Sequence, residues 1–159
     1  MAKYLLQLMV GVAIFFVSTF FAWYESSEIT ENPFEWRYST PFTNLFVQEI
    51  VNGKDISQLD YFVYAVKFKP LFPAIMFVSL IYLLSVLGMY LIKMKLKATT
   101  PFWGCTGLIL LFSSVVISQS FTIGNSVFFW IASINGMIFL VVATLLWMMK
   151  MKHQSLEVL

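Results

Sequence analysis

The sequence predicts an all-α integral membrane protein: a four-helix transmembrane bundle with a structured extracytoplasmic loop between its first two spans. Two observations carry this expectation. Of 159 residues, 60% are apolar and only 11% are charged, whereas a soluble domain carries about 25% charged residues. The apolar residues also gather into four long runs, each close to the roughly 20 residues a helix needs to cross the hydrocarbon. The length is that of one domain, read as a single membrane unit over residues 1–159.

The runs extend over residues 4–24, 71–92, 102–118 and 127–149, and none contains a charged side chain. Helices apolar all round suit lipid on one side and neighbouring helices on the other. The first run follows Lys3 like a signal peptide, but it exceeds the usual h-region of about 7–15 residues. A cut after Ala22 would also place Phe20 where a small residue is required, so the run reads as a retained anchor.

Charge sets the orientation. Lys3, Lys93, Lys95, Lys97, Lys150 and Lys152 fall on one side, and the acidic residues Glu25, Glu28, Glu31, Glu35, Glu49, Asp55 and Asp60 on the other. Cationic flanks stay in the cytoplasm, which puts both termini inside a plasma membrane and the 25–70 loop outside. Lys67 and Lys69 oppose this and are outnumbered by those six lysines. Trp23 and Trp130 are expected at the outer interface, Trp103 and Trp147 at the inner one.

The 25–70 loop is far longer than an ordinary helix–helix link, and its many aromatic residues would be costly to leave in water. Two short helices are expected there. One starts at Thr40-Pro41 and stops near Asn52-Gly53. The other starts at Asp55, with Gln58 completing a capping pair, and carries Ile56, Leu59, Val63 and Val66 on one face. That face is expected on the bilayer or on the tops of the spans. Residues 35–39 read as extended. The third and fourth spans, joined by a short turn at Gly124-Asn125, should form a hairpin with Asn125 capping the last helix.

The residues offer little chemistry. His153 is the single histidine and Cys105 the single cysteine; with no clustered ligands beside them, neither a metal nor another cofactor is expected. Cys105 reads as a small packing residue. Glu25, Glu28 and Glu31 read as a solvated acidic face, with weak hard-cation binding as the alternative. No catalytic residue is assigned, since no His or Lys lies beside the membrane serines; an enzyme would need a carboxylate pair such as Glu25 with Glu35. No cationic cluster suggests nucleic acid.

Small residues at helical spacing point to helix packing: Gly104, Gly107, Ser114 and Ser118 in the third span, and Ala132, Asn135, Gly136, Ala143 and Thr144 in the fourth. Their hydroxyls and the Asn135 amide are expected to bond across the contact.

Three stretches carry a resemblance: Phe21-Ala22-Trp23-Tyr24-Glu25; Asn32-Pro33-Phe34-Glu35-Trp36 leading to Tyr38-Ser39-Thr40-Pro41-Phe42; and residues 55–65, from Asp55-Ile56-Ser57 to Val63-Tyr64-Ala65. Together they resemble the YjdJ-type small membrane proteins of Gram-positive, spore-forming bacteria over roughly the first 90 residues. The resemblance implies a bacterial plasma membrane and no catalytic residues. The large first outer loop is also similar to that of claudin-like proteins, in topology alone, because the paired loop cysteines of that family are missing.

The function expected is therefore a non-enzymatic accessory or scaffold subunit, bound to the bilayer and to another membrane protein or to itself. Trp36, Tyr38, Phe42, Phe46, Tyr61 and Tyr64 are the candidate partner contacts, unless they form the loop's own core. The alternative is a small oligomeric channel or transporter lined by Ser113, Ser114, Ser118, Ser133, Asn135 and Thr144.

Overall fold

A computed structural model describes residues 2–47, 49–118 and 122–157, with side chains as far as residue 152. Among the described residues every regular element is helical: α1 (Ala2–Ser26), α2 (Pro33–Ser39), α3 (Gln58–Phe68), α4 (Leu71–Lys93), α5 (Thr99–Ile117) and α6 (Ile123–Glu157). Short 3-10 turns occupy Ser27–Glu31, Thr43–Leu45 and Gly53–Asp55. Four helices are long and apolar enough to cross a membrane, namely α1, α4, α5 and α6. At 35 residues, α6 is about 52 Å long.

The long helices pack as two pairs, α1 on α4 and α5 on α6. On α1 the face turned inward is small: Gly11, Ser18 and Ala22 are buried. On α4, Pro73 sits in the first turn, where its missing N–H leaves no carbonyl without a donor. Gly107 and Gly136 face each other, and a Cβ on either would lie 3.1 Å from the other's carbonyl oxygen. Gly104 lies opposite Ala143, so α5 and α6 run antiparallel, as the hairpin reading expects.

One seam joins the pairs. Ile81 of α4 meets Trp103, Leu110, Phe139 and Ala143 from the other pair, and the rings of Phe77 and Phe128 stand 5.6 Å apart. Trp103 fills this seam, buried against Gly88 and Phe139, and Gly88 leaves the space that its ring occupies. Cys105 departs from its expected packing role, since it is exposed on α5. Ser118 and Thr144 are exposed as well.

Polar groups in the spans bond within their own helices, not across the contact. Ser114 donates to Leu111 O, Ser118 to Val115 O, Thr144 to Val141 O, and Asn135 Nδ2 to Ile131 O. A carbonyl one turn back is always within reach, so no neighbouring helix is needed.

The 27–70 segment differs most from its expected form. Residues 35–39 are helical rather than extended, because Pro33 starts α2 at a position that suits its fixed φ. Thr40 ends that helix instead of starting the next one, and its hydroxyl donates to Trp36 O. Helix α3 starts after Ser57, whose side chain accepts from Leu59 N, not at Asp55. Its buried residues are Asp60, Tyr64 and Ala65 while Leu59 is exposed, which rotates the inward face away from the expected one. At α6 the cap is Thr122, whose hydroxyl oxygen accepts from Asn125 N. Gly124 and Asn125 lie inside that helix.

Candidate functional site

The 27–70 segment folds into a cap where α1 ends and α4 and α6 begin, with α3 packed on all three. Its core is Ile29, Ile56 and Tyr64, with Trp36, Ile50 and Tyr61 packed around them. Burial of side chains of this size contributes about 1.5–3 kcal/mol each. The Trp36 indole donates to Ile29 O at 2.7 Å, which ties α2 to the turn after α1.

A buried carboxylate holds the middle of the cap. Asp60 is fully buried on the first turn of α3. Its Oδ1 accepts from Phe42 N at 2.9 Å, and its Oδ2 accepts from Thr43 N at 2.7 Å and from Thr43 Oγ1 at 2.5 Å. The Thr43 hydroxyl oxygen in turn accepts from Ser57 N at 2.8 Å. Hydrogen bonds to an ionised group are roughly twice as strong as neutral ones, and these offset the cost of removing the charge from water. The chain from 40 to 43 is thereby drawn onto α3, which is why no helix starts at Thr40. Thr43 is not singled out in the sequence and Asp60 reads only as one of the acidic residues of the outer loop, although Ser57 followed at three residues by an acid is a helix-start signal.

Beside this clasp, Asn32 Nδ2 donates to the Tyr64 hydroxyl at 3.4 Å. The Tyr64 hydroxyl titrates above its ordinary range, first through burial and then through its hydrogen bond with Glu35 and that carboxylate's charge. Glu35 Oε2 and Ser39 Oγ are buried without a hydrogen-bond partner among the described residues. The cap is held to the helix ends by a partly exposed Lys69–Glu28 ion pair and by Lys67 Nζ donating to Tyr38 O. Such exposed pairs contribute about 0–1 kcal/mol.

The six aromatic candidates separate into two groups. Trp36, Tyr61 and Tyr64 belong to the cap's core. Tyr38, Phe42 and Phe46 are exposed, Phe46 at 88%, and Phe34 joins them at 95%. Of the small span residues, Gly107, Ser114, Ala132 and Gly136 are buried, Gly104 and Asn135 are half-buried, and Ser118 is exposed. The polar span residues differ in exposure: Ser114 is buried, whereas Ser118 and Thr144 are exposed. Among the described side chains, no group of three or more His, Cys, Asp or Glu could hold a metal. Glu25 lines a groove with Lys69 and Val127, whereas Glu35 faces Tyr64.

A family profile described as a domain of unknown function, DUF4306, matches residues 5–92, more than half of the chain. The chain belongs to the DUF4306 family. A relative from Bacillus subtilis (strain 168), described as uncharacterized protein YjdJ, is 31% identical over 91 residues, covering 56% of this chain and 84% of the relative. The DUF4306 region is therefore α1, the cap and α4, and it contains the Asp60 clasp and the whole cap core. The α5–α6 hairpin lies beyond it. No solved structure matches the chain.

Proposed function

We propose that this DUF4306 protein is a non-enzymatic, four-span plasma-membrane subunit that docks another membrane protein through the exposed aromatic side of its cap. The lysine-rich ends at 93–97 and 150–152 lie at the opposite end of the helices from the acidic cap. Cationic flanks are retained in the cytoplasm, which supports a cap outside and both termini inside. The observation that carries the docking role is the cap's division of its aromatic residues. A core of its own already satisfies Trp36, Tyr61 and Tyr64, yet Phe34, Tyr38 and Phe46 remain exposed. Phe34 and Tyr38 share one face of α2 by their four-residue spacing, and exposed aromatics are enriched at surfaces that bind. An accessory or scaffold role fits a cap that has its own core and is carried on four long apolar helices, since it presents a defined surface to a neighbour in the same membrane.

A photoreactive phenylalanine analogue placed at Phe46 or Tyr38 tests this in native membranes. Irradiation should give a discrete protein adduct, and Phe34→Ser should weaken it. Adducts to lipid alone, together with a monodisperse monomer in mild detergent, would remove the reading.

A further inference from the structure

The end of the molecule opposite the cap holds a second feature. Where α4 ends and α5 begins, next to α6, there is a cavity of about 330 Å³ lined by Lys95, Lys97 and Lys150. The rest of its wall is formed by Ile92, Leu96 and Leu146, with Thr99 and Thr100 at the start of α5. No carboxylate lines it, and none of the three lysines has an ion-pair partner among the described residues. The three lysines are exposed and screened by solvent, but together they give this end of the helices a local positive potential that attracts an anion. The start of α5 adds the positive end of its backbone dipole.

Lys95 makes the arrangement sharper. It occupies the left-handed region at φ 51° where α4 terminates, with Lys95 N donating to Ile92 O and Leu96 N to Leu91 O. That terminating position ordinarily takes glycine, and an L side chain there costs about 1–2 kcal/mol. A lysine is held at that cost on the wall of a cationic cavity.

From charge and wall chemistry together, we propose that this cavity binds the phosphate headgroup of an anionic glycerophospholipid, with acyl chains running along Ile92, Leu96 and Leu146. A free phosphate would use the lysines but not the apolar wall, whereas a phospholipid uses both. Basic pockets between membrane helices at the headgroup level suit such lipids. The site rests on α4, α5 and α6 being membrane spans, and not on which side the lysines face.

The test uses the full chain in mild nonionic detergent, with binding of dioleoylphosphatidylglycerol and dioleoylphosphatidylcholine read by native mass spectrometry. The anionic lipid should bind at least about tenfold more tightly. Lys95→Gln/Lys97→Gln/Lys150→Gln should weaken it on the order of a hundredfold, about fivefold per lysine. The matching arginine variant should retain it. A count-matched variant, Lys3→Gln/Lys93→Gln/Lys152→Gln, should stay within about threefold of the parent chain. Equal loss in both glutamine variants would reduce the effect to diffuse surface charge and overturn the site. Displacement by equimolar inorganic phosphate would assign the cavity to a free anion and overturn the lipid. Release of the chain from membranes by alkaline carbonate would instead sink the spanning reading beneath it.

Discussion

At the scale of single residues, the cap depends on groups that a hydropathy reading passes over. Asp60→Ala leaves three donors facing an apolar methyl, and each buried donor left without an acceptor costs about 1–3 kcal/mol. Thr43→Val removes one donor and the acceptor of Ser57 N, a smaller loss of about 1–2 kcal/mol. Limited proteolysis of the 40–60 segment in detergent should rank them in that order, and the double variant should cost less than the sum. Ser39→Ala should act oppositely. It deletes a buried hydroxyl that has no partner among the described residues, so the cap should gain about 1 kcal/mol. Tyr64 adds a pH dependence. Its folded-state pKa is raised by burial and then by Glu35. Its contribution is complete below about pH 10 and is lost as pH rises through the folded value. Near-ultraviolet circular dichroism melts should therefore fall above that pH in the parent chain. Tyr64→Phe should flatten this decline, because it removes the ionising hydroxyl and leaves every other group unchanged.

At the scale of elements, the long helices were legible and the cap was not, for one physical reason. A span is specified by composition summed over about 20 residues, so errors at single positions average out. All four observed helices accordingly contain or nearly contain the expected runs. The cap's elements are at most 11 residues long and depend on contacts between residues such as Asp60 and Thr43, 17 positions apart. Thr40-Pro41 carried a sound helix-start signal, yet the carboxylate of Asp60 captured the following N–H groups first. Likewise the spacing of small residues picked out Gly107 and Gly136, but nothing local told them from Gly104. The structure supplies that distinction as a prediction. A Cβ at Gly104 finds its nearest atom at 4.0 Å, whereas one at Gly136 meets Leu111 at 2.9 Å and Gly107 O at 3.1 Å. Gly104→Ala should be neutral or stabilise α5 by up to about 1 kcal/mol. Gly136→Leu should cost about 1–3 kcal/mol through overpacking. Thermal unfolding in detergent, read beside cysteine cross-linking between α5 and α6, checks both.

At the scale of the whole molecule, the boundary of the DUF4306 region coincides with a boundary in the packing. Residues 5–92 contain the α1–α4 pair and every residue of the cap core. The α5–α6 pair is joined to them along the Trp103 seam and where α6 meets α3. At this second contact a Cβ on Gly124 would fall 1.8 Å from Val66 O. Lipid is as apolar as the seam, so exposing Ile81 and Gly88 to it carries little hydrophobic cost. A chain ending after Lys97 should therefore insert and keep its cap, with the 40–60 segment as resistant to protease as in the full protein. Gly124→Val in the full chain is the sharper case. Its backbone clash must push α6 away from α3 while the Asp60 clasp stays intact, so the cap should stay resistant while α6 loses its cross-links to α3. If the cap melted in both experiments, the α5–α6 hairpin would be a structural requirement of the cap rather than a separable partner to it.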